Sequence, residues 1–295
     1  MKGILLAGGN ATRLYPITMV TNKHLLPIYN KPMIYYSLST LMLAGIRDIL
    51  LISSPRDIES FKSLLGNGSH IGISIEYAVQ NEPKGIAECF KIGKDFIGKS
   101  SVSLSLGDNI FYGANFENAL ETASSSAENS NNAVVFGYYV SDPERYGVLE
   151  FNEDHKVISI EEKPKNPKSH YAVIGVYFYP NDVVDFVHDV KPSGRGELEI
   201  TDINNIYLHQ NRLNVKLLNN GFAWLDTGTC ESLIQASNFI HTVESRQNLM
   251  VGSIEQIAFT KGYINDSQLM DIAAKMKNVD YGKFLAKLAK EGVGL

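Results

Sequence analysis

Near its start the chain reads Gly8-Gly9-Asn10-Ala11-Thr12-Arg13-Leu14-Tyr15-Pro16, with Lys23, Pro27 and Lys31-Pro32-Met33 beyond. The apolar run Ile4-Leu5-Leu6-Ala7 leads into it and reads as a strand. A strand feeding a glycine turn, with Arg and Lys just after, suits phosphate binding. Glycine lets backbone N–H groups approach an anion closely, and the cations balance its charge. The spacing is neither GxxxxGK followed by Ser or Thr nor GxGxxG, so the P-loop and the dinucleotide fingerprint are both missing. Asp108 and Asp226 each follow a strand-like run, 102–106 and Ala223-Trp224-Leu225. A single Asp at such a place is more often a turn former. Magnesium, however, takes oxygen ligands and is typically held by one or two carboxylates together with substrate phosphates. Gln80 follows another strand-like run, and its amide can both donate and accept, as the edge of a pyrimidine base requires.

The elements that must position these groups alternate through the first half. Strands are expected at 4–7, 49–52, 73–79, 102–106 and 134–139, and helices from Pro32 to Gly45, at 57–65, 86–97 and 115–123. Such alternation predicts an α/β fold, a mixed and mostly parallel central sheet with helices on both faces. The pattern then changes to a hairpin at 148–151 and 157–160, a strong strand at 172–179, helices at 183–190 and 200–210, a strand at 215–218 and a helix at 230–243. Residues 1–244 are taken as the α/β core and 245–295 as a small C-terminal helical subdomain packed on it. The polar stretch from Ser124 to Asn132 is expected to be a surface loop. Gly8, Gln80, Asp108, Lys163 and Asp226 all fall at or just past strand ends, where open α/β sheets bind ligands.

With 295 residues, 44% apolar and 20% charged, the chain is an ordinary globular one, and its net charge of −5 argues against nucleic acid or an anionic membrane as main partner. Cys89 and Cys230 make neither a disulfide framework nor a zinc site. No apolar run reaches the ~18 residues needed to span a bilayer, the opening apolar run is too short for a signal peptide, and a cytoplasmic location is expected.

The opening block resembles the signature of the sugar-1-phosphate nucleotidylyltransferases, G-x-G-T-R-L-x-P followed by a lysine and K-P-M. Further blocks resemble one branch of that family, the glucose-1-phosphate thymidylyltransferases: Gly107-Asp108-Asn109-Ile110-Phe111-Tyr112-Gly113, Asp142-Pro143-Glu144-Arg145-Tyr146-Gly147-Val148, Ile160-Glu161-Glu162-Lys163-Pro164, Arg195-Gly196-Glu197-Leu198-Glu199-Ile200-Thr201-Asp202 and Trp224-Leu225-Asp226-Thr227-Gly228-Thr229. They cover nearly the whole chain. The resemblance implies a Rossmann-like nucleotide-diphospho-sugar transferase fold. It also implies an enzyme that joins dTTP to α-D-glucose 1-phosphate with Mg²⁺, giving dTDP-glucose and pyrophosphate. Leu6, Gly8, Gly9, Thr12, Arg13, Lys23, Gln80, Gly85 and Asp108 would bind the nucleotide. Gly147, Glu162, Lys163, Val173, Tyr177 and Arg195 would bind the sugar phosphate, although Val173 and Tyr177 equally suit a buried strand. Asp108 and Asp226 would hold the metal, and Arg13, Lys23, Lys163 and Asp108 would carry catalysis. A homotetramer with an allosteric nucleotide-sugar site, feeding deoxysugars such as rhamnose to surface polysaccharides, is implied too.

The chain departs from the family at Ala11, which stands where Gly is usual, so the loop is expected to form with negative φ there. His24, Lys84, Glu88 and Cys89 also depart from the usual residues. The alternatives are a sister enzyme using UTP, CTP or another sugar 1-phosphate, and a catalytically silent nucleotide-sugar sensor. The intact Arg13, Lys23, Asp108, Lys163 and Asp226 argue against the latter.

Overall fold

A computed structural model describes residues 1–292. Its main sheet has nine strands. Four run parallel in the order 74–79, 48–53, 2–7 and 102–106. The next strand, Tyr171–Tyr179, is antiparallel to Val102–Leu106 and links the parallel half to an antiparallel half containing Gly147–Phe151 and Val157–Glu162. Ala133–Tyr139 pairs with the same long strand, and Leu213–Leu217 adds to it in parallel. This is the mixed, mostly parallel α/β sheet that the alternation implied.

Period-two alternation builds two cores. Ile4 and Leu6 of the first strand pack with Phe90, Leu104, Tyr179 and Ile203 on one face, while Leu5 and Ala7 pack with Leu38, Leu41 and Phe61 on the other. Helices therefore cover both faces. The helices Ile254–Thr260, Asp266–Lys275 and Asp280–Glu291 close the second layer, where Ile254, Leu269 and Leu285 join the cluster around Leu41. A buried ion pair ties the helix Cys230–Gln247 to the early part of the chain: Lys31 Nζ lies 2.7 Å from Glu244. The end of the expected helical subdomain, at 295, lies outside the described residues.

Several local expectations are corrected. Phe116–Asn129 is one helix, so most of the stretch expected to be a loop is helical. Its residues Ala123, Ser124 and Ala127 are buried, and that packing outweighs the weak helix preference of a serine run. The expected 86–97 helix is two short ones, Glu88–Ile92 and Lys94–Ile97, parted at Gly93. An ideal Cβ at Gly93 would lie 3.1 Å from Ile4 and 3.2 Å from Leu50, so glycine lets the turn press onto the sheet. The helix expected at 183–190 is confined to Val183–Phe186.

Two features shape the site. Strand 171–179 pairs with 102–106 through Val176–Tyr179 but reaches 147–151 at Ala172, and its register to 133–139 shifts between Val173 and Tyr177. The sheet splits there, beyond Leu106. A separate ribbon, Asn109–Tyr112 against Ala223–Asp226, pairs Asn109 with Asp226 and so brings the two sequence-distant aspartates together.

Candidate active site

The phosphate-type loop follows the Lys2–Ala7 strand. Gly9 has φ of 88°, and Ala11 has φ of 47° and ψ of 40°, left-handed. The expectation of negative φ at Ala11 is thus overturned. Its carbonyl is fixed in place, accepting from Thr18 Oγ1 at 2.8 Å and from Leu14 N–H at 3.0 Å, and Leu14 is buried below. Tertiary anchoring outweighs a Cβ strain of roughly 1–2 kcal/mol. Gly8 has a different reason to be glycine: an ideal Cβ would lie 2.7 Å from Gln80 Oε1.

Two cavities adjoin behind this loop. The one nearer the glycine loop, of 290 Å³, is lined by Leu6, Gly8, Gly9, Arg13, Lys23, Gln80, Gly85 and Asp108. The other, of 490 Å³, sits in the sheet split and is lined by Gly147, Glu162, Lys163, Val173, Tyr177 and Asp226. Arg13, Ile86, Leu106 and Asp108 line both. The two expected groups of binding residues therefore separate into two adjoining spaces, with two exceptions. Thr12 lines neither cavity, lying in the turn Thr12–Leu14. Arg195 stands at the rim, its guanidinium 2.8 Å from Glu199 and 3.4 Å from Glu162.

The junction is dense in charge. Asp108 pairs with Lys23 and accepts from Asn109 Nδ2 at 2.8 Å. Burial pushes its pKa up, but the Lys23 charge and hydrogen bond outweigh this and hold the carboxyl below the usual range. Asp226 shows the opposite balance. Burial and the Asp108 charge raise it, against Arg145, whose guanidinium lies 2.6 Å away, and against Lys23 and Arg13. Asn109 is the hub: besides holding Asp108, its Oδ1 accepts from Trp224 Nε1 at 2.6 Å and from Gly175 N–H at 3.2 Å. Arg13 has no carboxylate partner among the described residues.

His24 is buried, and burial with the Lys23 charge lowers its pKa to about 3. Asn22 fixes its tautomer. The Asn22 amide nitrogen donates to Asp57 at 2.9 Å, so its oxygen must accept, and it faces His24 Nδ1 at 2.7 Å. Nδ1 therefore carries the proton and Nε2 is bare.

In the cavity of the sheet split, Glu162 Oε2 accepts from Thr201 Oγ1 at 2.5 Å. An ideal Cβ at Gly147 would lie 3.0 Å from Thr201 Oγ1 and 3.4 Å from Glu162, so glycine leaves that approach open. Lys163 has φ of 46° and its N–H donates to Tyr146 at 2.9 Å, a bend that turns the lysine at the strand end. Burial raises the Tyr177 hydroxyl pKa, so that hydroxyl stays protonated.

Sequence reasoning passed over Asn109, Arg145, Thr201 and Trp224 as site residues. All four stand inside blocks already singled out, but only the ribbon register and the sheet split show what they touch.

A family model described as nucleotidyl transferase matches residues 2–243. The chain is 55% identical over 291 residues to the glucose-1-phosphate thymidylyltransferase of Neisseria meningitidis, covering 99% of this chain and all of that one. It is 51% identical to that of Mycolicibacterium smegmatis, covering 98% of this chain and 99% of the relative. Among solved structures, a Bacillus anthracis protein provisionally assigned as a glucose-1-phosphate thymidylyltransferase, in complex with sucrose, is 44% identical with a TM-score of 0.73, covering 81% of this chain and 94% of that one. A UDP-glucose pyrophosphorylase bound to UDP-glucose shares the fold alone, at 24% identity and a TM-score of 0.72, over 82% and 98% of the two chains. The loop, the paired cavities and these near full-length matches lead to one conclusion: the chain belongs to the nucleotidyl transferase family and groups with its glucose-1-phosphate thymidylyltransferases.

Proposed function

We propose that this chain joins dTTP to α-D-glucose 1-phosphate, releasing dTDP-glucose and pyrophosphate. The observation that carries the reading is the pair of cavities meeting at Arg13, Ile86, Leu106 and Asp108. One holds the glycine loop and an amide suited to a base. The other holds a cation and a carboxylate suited to a sugar phosphate. An α-phosphoryl group at the junction is open to attack from the sugar side.

A phosphate oxygen of glucose 1-phosphate attacks the α-phosphorus in line. The new P–O bond forms as the bond from the α-phosphorus to the bridging oxygen breaks, and that electron pair leaves with pyrophosphate. The nucleophile is already an anion, so no base has to remove a proton. His24, kept neutral far above its lowered pKa, is unsuited to carry one. The protein's task is to position the reactants and to neutralise charge. Gly8 and Gly9 bring backbone against the triphosphate. Arg13, shared by both cavities and free of a carboxylate partner among the described residues, neutralises the α-phosphoryl oxygens, with Lys23 beside it. Lys163 grips the sugar phosphate and Arg195 reaches it from the rim. Glu162 and the Gly147 backbone take sugar hydroxyls, against a wall of Val173 and Tyr177.

Asp108 and Asp226 fit a magnesium site. Both are hard oxygen donors, they are set side by side by the Asn109–Asp226 pairing, and the charge of one raises the pKa of the other, a repulsion that a divalent cation relieves. The ion they would hold supplies charge neutralisation for the phosphates. The resemblance extends the reading to a cytoplasmic homotetramer inhibited allosterically by a nucleotide sugar. Light scattering and inhibition by dTDP-sugars test that extension. No helix among the described residues is long and apolar enough to cross a membrane.

The deciding experiment is pyrophosphate release over a matrix of nucleoside triphosphates and sugar 1-phosphates. The dTTP and glucose 1-phosphate pair should be the best or near-best substrates. No release above background for any pair overturns the proposal.

A further inference from the structure

The Gln80 amide is gripped from behind. Its Nε2 donates to Glu88 Oε2 at 2.7 Å and to the Gly85 carbonyl at 3.3 Å. A carbonyl only accepts and a carboxylate has nothing to donate, so turning the amide over would set its oxygen against two acceptors. The side chain is 7% exposed, which makes such a mismatch costly. Oε1 is thereby directed to the opposite side, beside Gly8, where an ideal Cβ would lie 2.7 Å from it. No donor among the described residues reaches Oε1, and Gln80 lines the nucleotide cavity. What the amide offers a base is an acceptor.

We propose that Glu88 is a specificity-determining positioning residue, fixing Gln80 as an acceptor so that the site selects bases with a ring N–H on their pairing edge. This rests on the reading of the cavity as a nucleoside triphosphate site. Thymine and uracil present N3–H to such an acceptor. Cytosine presents a bare N3, so two lone pairs face one another and one hydrogen bond is lost. Glu88 does not line the cavity and acts only through Gln80. Without Glu88, the 3.3 Å contact to Gly85 is a weak hold, and the amide is free to turn its donor toward the base.

The test compares UTP with CTP, which share ribose and triphosphate and differ at the pairing edge. Binding of each to the intact enzyme is measured by calorimetry, and kcat/KM is measured with saturating glucose 1-phosphate. Wild type should prefer UTP by about tenfold or more, the scale of one lost buried hydrogen bond. Glu88→Ala should shrink that preference by a similar factor and leave KM for glucose 1-phosphate unchanged. Glu88→Gln should shrink it too, because its amide can donate to a turned-over Gln80 oxygen and only the Gly85 carbonyl then opposes the turn. The exchange Gln80→Glu with Glu88→Gln should keep the preference, since an acceptor again faces the base. A loosened helix would weaken UTP and CTP alike and leave the ratio at its wild-type value. An unchanged ratio in Glu88→Ala, or loss of preference in the double exchange, overturns the proposal. The calorimetric ratio needs no turnover, so this result stands apart from failure of the transfer reaction itself. If wild type bound neither nucleotide, the nucleotide-site reading would fall, and this proposal with it.

Discussion

Replacing Asp226 by Asn should move stability and activity in opposite directions. The Asp226 carboxyl has a raised pKa because it is buried and stands beside Asp108, and Arg145 at 2.6 Å only partly offsets this. A raised folded-state pKa means that the ionised form is less favourable in the folded protein than in the unfolded chain. The penalty is absent below the unfolded value, near 3.8, and develops as pH rises through the folded value. Asn keeps the shape without the charge, and its oxygen can still accept from Arg145, which retains Asp142 at 2.7 Å. Relieving a functional site of this kind is typically worth about 1 kcal/mol, or about 2 °C in melting temperature for a chain of this size. Melts of the metal-free proteins in EDTA should show the variant more stable at pH 7 and the two proteins converging toward pH 3. Turnover should fall by at least about a hundredfold, the scale for losing one preorganised charged group. A variant less stable than wild type at neutral pH would refute the electrostatic account. Near-wild-type turnover at saturating Mg²⁺ would refute the role of Asp226 at the metal.

Asp108→Asn should also remove turnover but with the reverse stability effect. Its pKa is depressed, so its contribution is present above the unfolded value and lost as pH falls through the folded one; a variant as stable as wild type in neutral-pH melts counts against this. Lys163→Ala should raise KM for glucose 1-phosphate about ten- to a hundredfold, from a lost charge-assisted contact of about 1.5–3 kcal/mol, and leave dTTP binding unchanged in separate titrations. Ala11→Gly should stabilise the fold by roughly 0.5–1 kcal/mol in chemical denaturation, because the left-handed strain exceeds the entropy added to the unfolded chain. Steady-state kinetics should show dTTP only modestly ahead of UTP, since the pairing edge proposed to face Gln80 is shared by both bases and the 5-methyl group is worth about 1 kcal/mol in apolar contact. ATP and GTP should fail for size.

The sheet, its two cores and the placing of Gly8, Gln80, Asp108 and Asp226 at strand ends were legible because period-two apolar runs fix which residues end a strand. The meeting of Asp108 with Asp226 was not. It depends on a four-residue ribbon whose strands stand more than a hundred positions apart, and neither strand carries a local signal of its partner. The Arg145 contact with Asp226 is hidden for the same reason. Ala11 was misread through local propensity, which Thr18 and Leu14 override. The family's glycine at that position was itself a sign of positive φ. The helix through Ser124–Ser126 likewise owes its existence to what lies beneath it.

The tight seat of Gly85 has a mechanical consequence. An ideal Cβ there would lie 2.4 Å from the Leu198 backbone, and Leu198 is stitched to the same stretch twice, through its N–H to Lys84 at 2.7 Å and its carbonyl to Ala87 N–H at 3.1 Å. The strip beside the base reader and the strip bearing Arg195, Glu197 and Glu199 are therefore one lever. Raising either alone breaks both stitches, at roughly 1–3 kcal/mol for each group left unpaired. Raising them together breaks neither. The lips of the two cavities are thus mechanically coupled, and whatever displaces or holds one acts on the other through these two hydrogen bonds.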